Sequence, residues 1–165
     1  MNNTIRIAGT VNDSIVDGPG IRYTIFTQGC PHHCHGCHNP QTWNLDGGKV
    51  VEISEIVKDF ETNPLLCGVT FSGGEPFIQP KPLIEIAKIA KSKGLNVLSY
   101  TGFLYEDILK DEEKYSLLKE LDYLIDGPFI LEQRDLELKY AGSRNQRMID
   151  VKKSLESGTI VTIPM

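Results

Sequence analysis

The chain has 165 residues, 40% of them hydrophobic and 24% charged, with a formal net charge of −5. That is enough for one domain with a single buried core, and no apolar run approaches the roughly 18 residues that span a bilayer. The acidic balance excludes nucleic acid as the main partner, because phosphate binding needs a basic face. Residues 1–10 lack the basic start and apolar stretch of a signal peptide, so the expected compartment is the cytoplasm.

The elements follow in chain order. Residues 22–27 alternate polar and apolar side chains and are rich in β-formers (Tyr23, Thr24, Ile25, Phe26), which predicts a strand running into a cysteine-rich loop. Ile53, Ile56, Val57 and Phe60 fall on one helical stripe. A short strand over 68–71 ends at Ser72-Gly73-Gly74-Glu75-Pro76. The stripe of Leu83, Ile86, Ala87 and Ala90 predicts a helix over 80–93, stopped by Gly94. Another strand, 96–99, ends at Tyr100-Thr101-Gly102. A helical region lies within 104–121, and a last strand over 123–125 ends at Asp126-Gly127-Pro128.

Strands alternating with helices predict right-handed βαβ units and a parallel sheet. In such folds the active site lies at the carboxyl ends of the strands. The pattern therefore puts the cysteine loop, the glycine turn and the Tyr100 turn on one rim. The chain is too short for eight βα repeats of about 30 residues each. The expected fold is α/β, an incomplete parallel (β/α) barrel, in a single domain spanning 1–165.

Three of the four cysteines, Cys30, Cys34 and Cys37, crowd into eight positions. In a reducing compartment such a cluster holds metal more readily than it forms disulfides. Three thiolates on one loop leave one iron of a cubane cluster without a protein ligand, the kind of open position a catalytic metal keeps. The spacing alone leaves two other readings open. Zinc could use the same thiols with His32, His33, His35 and His38 nearby. An electron-transfer cluster could recruit Cys67, although a cysteine just before a buried strand reads as a small core residue.

The CxxxCxxC spacing, the Gly73-Gly74-Glu75-Pro76 turn after the next strand and the α/β repeat together resemble the radical S-adenosylmethionine superfamily, over nearly the whole chain. One departure is Gly36, where that superfamily usually places an aromatic. The resemblance implies a 4Fe-4S cluster on Cys30, Cys34 and Cys37, with S-adenosylmethionine chelating the open iron. It implies that backbone at Gly73 and Gly74 approaches the methionine end, and that Glu75 helps to hold its ammonium. Ser99, Tyr100 and Thr101 would offer hydroxyls to the ribose, and His38 and Asn39 would meet the adenine. A reduced cluster then yields a 5′-deoxyadenosyl radical, which requires a low-potential donor such as flavodoxin or ferredoxin.

Asp17-Gly18-Pro19-Gly20-Ile21-Arg22 resembles the signature of activases of glycyl radical enzymes, which makes Asp17 and Arg22 candidates for contacting a partner's glycine loop. Gly142-Ser143-Arg144-Asn145-Gln146-Arg147 resembles the GSxNQR signature of the family that activates anaerobic ribonucleotide reductase. By composition alone the same segment is a solvated polar loop. The implied partner is the large subunit of that reductase, with homodimerisation of the activator left open. The alternatives are an activase of another glycyl radical enzyme such as pyruvate formate-lyase, a small-molecule radical enzyme, or a non-catalytic zinc or electron-transfer module.

Overall fold

The computed structural model describes residues 3–37 and 40–165. Its strands and helices run β1 (Thr4–Ser14), β2 (Arg22–Thr27), β3 (Lys49–Glu52), α1 (Ile53–Glu61), β4 (Gly68–Gly73), α2 (Pro80–Ser92), β5 (Asn96–Tyr100), α3 (Tyr105–Ile108), α4 (Glu112–Leu118), β6 (Tyr123–Asp126), β7 (Arg147–Asp150), α5 (Val151–Ser157) and β8 (Thr162–Ile163). They form one sheet in the order β3-β1-β2-β4-β5-β6-β7-β8. The four central strands, β2, β4, β5 and β6, are mutually parallel. Antiparallel strands extend both sides. The parallel heart is the one expected from the βα alternation. The flanks were not expected, because β1, with Gly9, Thr10, Asn12 and Asp13, carries no apolar run, and β7 and β8 are too short to show a period.

The two faces of the sheet are sorted by strict alternation. Val97, Leu124 and Ile149 point to the helices, where they join Ile25, Val69 and Phe71 in the main core. Their chain neighbours Leu98, Ile125 and Met148 point the other way and form a second cluster with Ala141. The predicted stripe of α2 closes the main core: Leu83, Ile86, Ala87 and Ala90 are all fully buried. Each such Leu or Ile contributes about 1.5–3 kcal/mol by leaving water. Helices thus cover one face only, and loops fill the other. That arrangement is the incomplete barrel. Among the described residues no helix is long and apolar enough to cross a membrane.

Two segments fill the inner face. Residues 15–21 fold back over β2 and β4, where the Thr70 hydroxyl donates to the Asp17 carbonyl at 2.8 Å. Residues 127–142 pass over β6 and reach the cysteine loop, so close that a Cβ on Gly36 would stand 2.9 Å from Leu131.

Candidate active site

The parallel strands β2, β4 and β5 bring their carboxyl ends to one cavity of about 330 Å³. Cys30, Cys34 and Cys37 line it together with Gly73, Gly74 and Tyr100. The cysteine loop is held there by its own return path. Gly29 donates to the Thr42 carbonyl at 2.6 Å and Cys30 to the Trp43 carbonyl at 3.2 Å. Gln28 is buried, and its amide donates to the carbonyls of Gln41 and Asn44 at 3.1 and 2.8 Å. A short turn follows, with Cys37 N donating to Cys34 O at 3.0 Å.

The chemistry of this donor set decides which metal group fits. Among the described residues no three His, Cys, Asp or Glu side chains converge on a point, as a single ion would require. All three loop cysteines line one cavity, and thiolates are the ligands that iron–sulfur clusters take. Burial pushes the Cys30 thiol up from its ordinary range. Thiolates are the ligating form, so a cluster held by Cys30 would have to displace this proton.

Cys67 stands apart. It precedes the amino end of β4, and a six-residue strand separates it from the rim by about 20 Å. It is exposed, not the core residue expected from its neighbours. It flanks the 15–21 segment, so tightly that a Cβ on Gly20 would lie 2.8 Å from its sulfur.

Gly73 and Gly74 line the cavity, but their lack of side chains serves the backbone first. Gly73 has φ of +99°, and a Cβ there would stand 2.5 Å from Thr27 N and 2.6 Å from Thr27 O. On Gly74 a Cβ would collide with the Gly29 carbonyl. The turn is stitched to the cysteine loop by Gly74 N to Thr27 O at 2.9 Å and Glu75 N to Gly29 O at 2.7 Å.

Glu75 has partners of its own within the protein. Its carboxylate is fully buried and takes four donors. Oε2 accepts from Phe77 N at 3.0 Å and from the Thr101 hydroxyl at 2.8 Å. Oε1 accepts from Gly102 N at 2.7 Å and meets His32 Nε2 at 2.6 Å. With both oxygens engaged within the protein, Glu75 joins the cysteine loop to the β5 turn. Nothing in the sequence marked His32 for this, since all four histidines sit in the same loop.

Ser99 is also corrected. It shares parity with Val97, lies fully buried on the helix side and donates to the Tyr100 carbonyl at 3.0 Å. Tyr100 and Thr101 do line the cavity. The Tyr100 hydroxyl, however, donates to the Tyr140 carbonyl at 2.7 Å. His38 and Asn39 lie outside the described residues.

Asp17 and Arg22 part company. Asp17 lines the cavity and accepts from the hydroxyls of Ser14 at 2.5 Å and Thr24 at 3.2 Å. Arg22 is fully buried, and burial pulls its pKa down. It donates to the Thr70 hydroxyl at 2.6 Å and to the carbonyls of Pro19 and Val69, both at 3.0 Å. It therefore fastens the 15–21 segment to the inner face and is not available to a docked chain.

The segment 142–147 is tied down by its own side chains, and only Arg144 in it is exposed. Gln146 Oε1 accepts from Gly142 N at 2.8 Å, and its amide nitrogen donates to Gly127 O at 3.0 Å. Asn145 donates to Pro128 O at 2.7 Å, and the Ser143 hydroxyl accepts from Ile130 N at 3.1 Å. Arg147 grips the buried Asp126 with two nitrogens and also reaches Glu106. The motif is a clip that pins 127–130 beside the cavity, which Gly142 and Gln146 line directly.

An incomplete barrel with a three-cysteine loop at the carboxyl ends of its parallel strands has the makings of an iron–sulfur domain, and the family match agrees. Residues 16–149 match the family described as 4Fe-4S single cluster domain. The pyruvate formate-lyase-activating enzyme of Clostridium pasteurianum is 41% identical over 127 residues, 71% of this chain and 53% of that enzyme. The anaerobic ribonucleoside-triphosphate reductase-activating protein of Vibrio cholerae is 34% identical over 141 residues, 80% of this chain and 89% of that protein. The chain thus spans about half of the first relative and nearly all of the second. Among solved structures, QueE from Escherichia coli aligns with a TM-score of 0.48 at 18% identity, covering 60% of this chain and 52% of that one. The chain belongs to the 4Fe-4S single cluster domain family, among its radical S-adenosylmethionine activating proteins. Its cofactors are one 4Fe-4S cluster and S-adenosylmethionine.

Proposed function

We propose that this protein activates the anaerobic (class III) ribonucleotide reductase by taking a hydrogen atom from one of its backbone glycines. The observation that carries the reading is the meeting of three loop cysteines, none of them in a disulfide, with the carboxyl ends of β4 and β5 in a single cavity. Cys30, Cys34 and Cys37 would hold the cluster, and Gly73, Gly74, Tyr100 and Thr101 would form the wall against which the cofactor lies. When bound there, the cluster and S-adenosylmethionine together would supply one-electron, hydrogen-abstracting chemistry. The donor of that electron would be a flavodoxin or ferredoxin, and the protein would work in the cytoplasm.

The chain's own residues orient and enclose. The 15–21 segment and the 142–147 clip wall the cavity on its inner side, which keeps water from a reactive intermediate. Val16, which is 67% exposed, and Lys139 border the opening through which a partner's loop would enter. A glycine suits such an encounter, because no side chain blocks its Cα and the flanking amides stabilise the radical left behind. Approach to about 3–3.5 Å is what a positioned reaction needs.

The reductase is favoured as partner because the chain spans 89% of a relative named for activating it. A second reading has its own observation, the 41% identity to the formate-lyase activator. Anaerobic incubation of the reconstituted protein with each candidate enzyme, S-adenosylmethionine and a low-potential reductant distinguishes them. The proposal expects 5′-deoxyadenosine and a glycyl radical signal with the reductase. Cleavage that gives a radical only on the formate lyase would replace it with the second reading.

A further inference from the structure

The His32–Glu75 pair connects two parts of the cavity that must stay in register. His32 stands between Cys30 and Cys34 in the loop that carries the cluster thiols. Glu75 belongs to the turn after β4, and its other partners, Thr101 and Gly102, form the turn after β5. The bond between them is short, 2.6 Å, and the carboxylate is fully buried. The imidazole fills the space over Gly102, where a Cβ would stand 2.5 Å from its ring. It also packs edge-on against Phe103, with ring centroids 4.6 Å apart. Among the described residues this is the one basic side chain in ion-pair reach of Glu75.

We infer that His32 is a positioning residue: its bond to Glu75 latches the cluster loop to the β4 and β5 turns, so that the cluster meets the cofactor in one fixed geometry. A tethered loop has fewer arrangements to lose when the cofactor binds, and small misplacements of reacting groups are costly. The inference rests on the cavity being the cofactor site, but not on which enzyme receives the radical.

Trp43 provides a readout that needs neither cluster nor cofactor. It is the chain's one tryptophan. Its backbone carbonyl accepts from Cys30, and its indole stacks on His33 at 4.6 Å with an interplanar angle of 7°. Loosening the loop alters the surroundings of that ring.

The test compares parent, His32→Ala and His32→Gln, the last retaining a nitrogen donor for Glu75. In the apoproteins His32→Ala should red-shift the Trp43 emission and speed its collisional quenching, while His32→Gln stays close to the parent. After anaerobic reconstitution, His32→Ala should bind S-adenosylmethionine roughly tenfold more weakly. It should also lose most of the cofactor-induced change in the EPR spectrum of the reduced cluster, with the Gln variant restoring both. If His32→Ala proves unable to hold iron while His32→Gln holds it, the latch is supported at the level of loop assembly. Parent-like emission, affinity and EPR change in His32→Ala would overturn the inference. So would equal impairment of the two variants.

Discussion

Cys30, Cys34 and Cys37 share a cavity that Cys67 does not touch, so single replacements should sort ligands from bystander. Alanine at any of the three loop positions should abolish stoichiometric iron after anaerobic reconstitution, and Cys67→Ala should retain it, measured as iron and sulfide per chain. Loss of the cluster in Cys67→Ala would restore the electron-transfer reading. Arg22 makes the opposite kind of case. Its guanidinium satisfies three acceptors on the inner face, two of them buried. Arg22→Met should therefore lower stability by roughly 2–5 kcal/mol in denaturant unfolding of the apoprotein. A parent-like midpoint would return Arg22 to the role of a partner contact. The thiols were legible because close spacing on one loop is a property of sequence. The difference between Asp17 and Arg22 was not, because both flank one turn and only the fold-back of 15–21 over Thr24 and Thr70 decides which side chain is buried.

At the scale of elements, the contact between β2 and β4 sets the rim. Thr27 pairs with Gly73 in a parallel register, and any Cβ at position 73 meets the Thr27 backbone. Gly73→Val should therefore weaken the fold as well as the site: a lowered unfolding midpoint in the apoprotein should accompany loss of cofactor binding. A variant that unfolds like the parent yet fails to bind would show that only the ligand needs the space. The clip after β6 carries a pH signature. The Glu106 carboxyl is held below the usual carboxylate range, chiefly by its hydrogen bond to Arg147. A lowered folded-state value means that its contribution is present above the unfolded value and fades as pH falls through the folded one. Glu106 is about half exposed, so Glu106→Gln should cost only about 0.2–1 kcal/mol near neutrality. The gap from the parent should vanish in acid; a gap that persists below the carboxylate range would assign the effect to packing. The parallel core and its helices were legible from periodicity. The clip was not, because Ser143, Asn145 and Gln146 bond to backbone atoms of 127–130, and composition cannot tell such partners from water.

For the whole molecule, coverage of one sheet face by helices and the other by loops explains how a short chain makes a closed site with an open mouth. Helices supply the main core. The inner face, freed from that task, carries the cavity and the segments that wall it. Under the proposed function, this cavity would pass a hydrogen atom from a glycine of the anaerobic reductase to the cofactor's 5′ carbon. The most direct measurement uses reductase biosynthetically labelled with α-deuterated glycine and asks where the deuterium goes during one round of activation. The expected result is a glycyl radical on the reductase and 5′-deoxyadenosine heavier by one mass unit, in matching amounts. A radical accompanied only by unlabelled 5′-deoxyadenosine would contradict it.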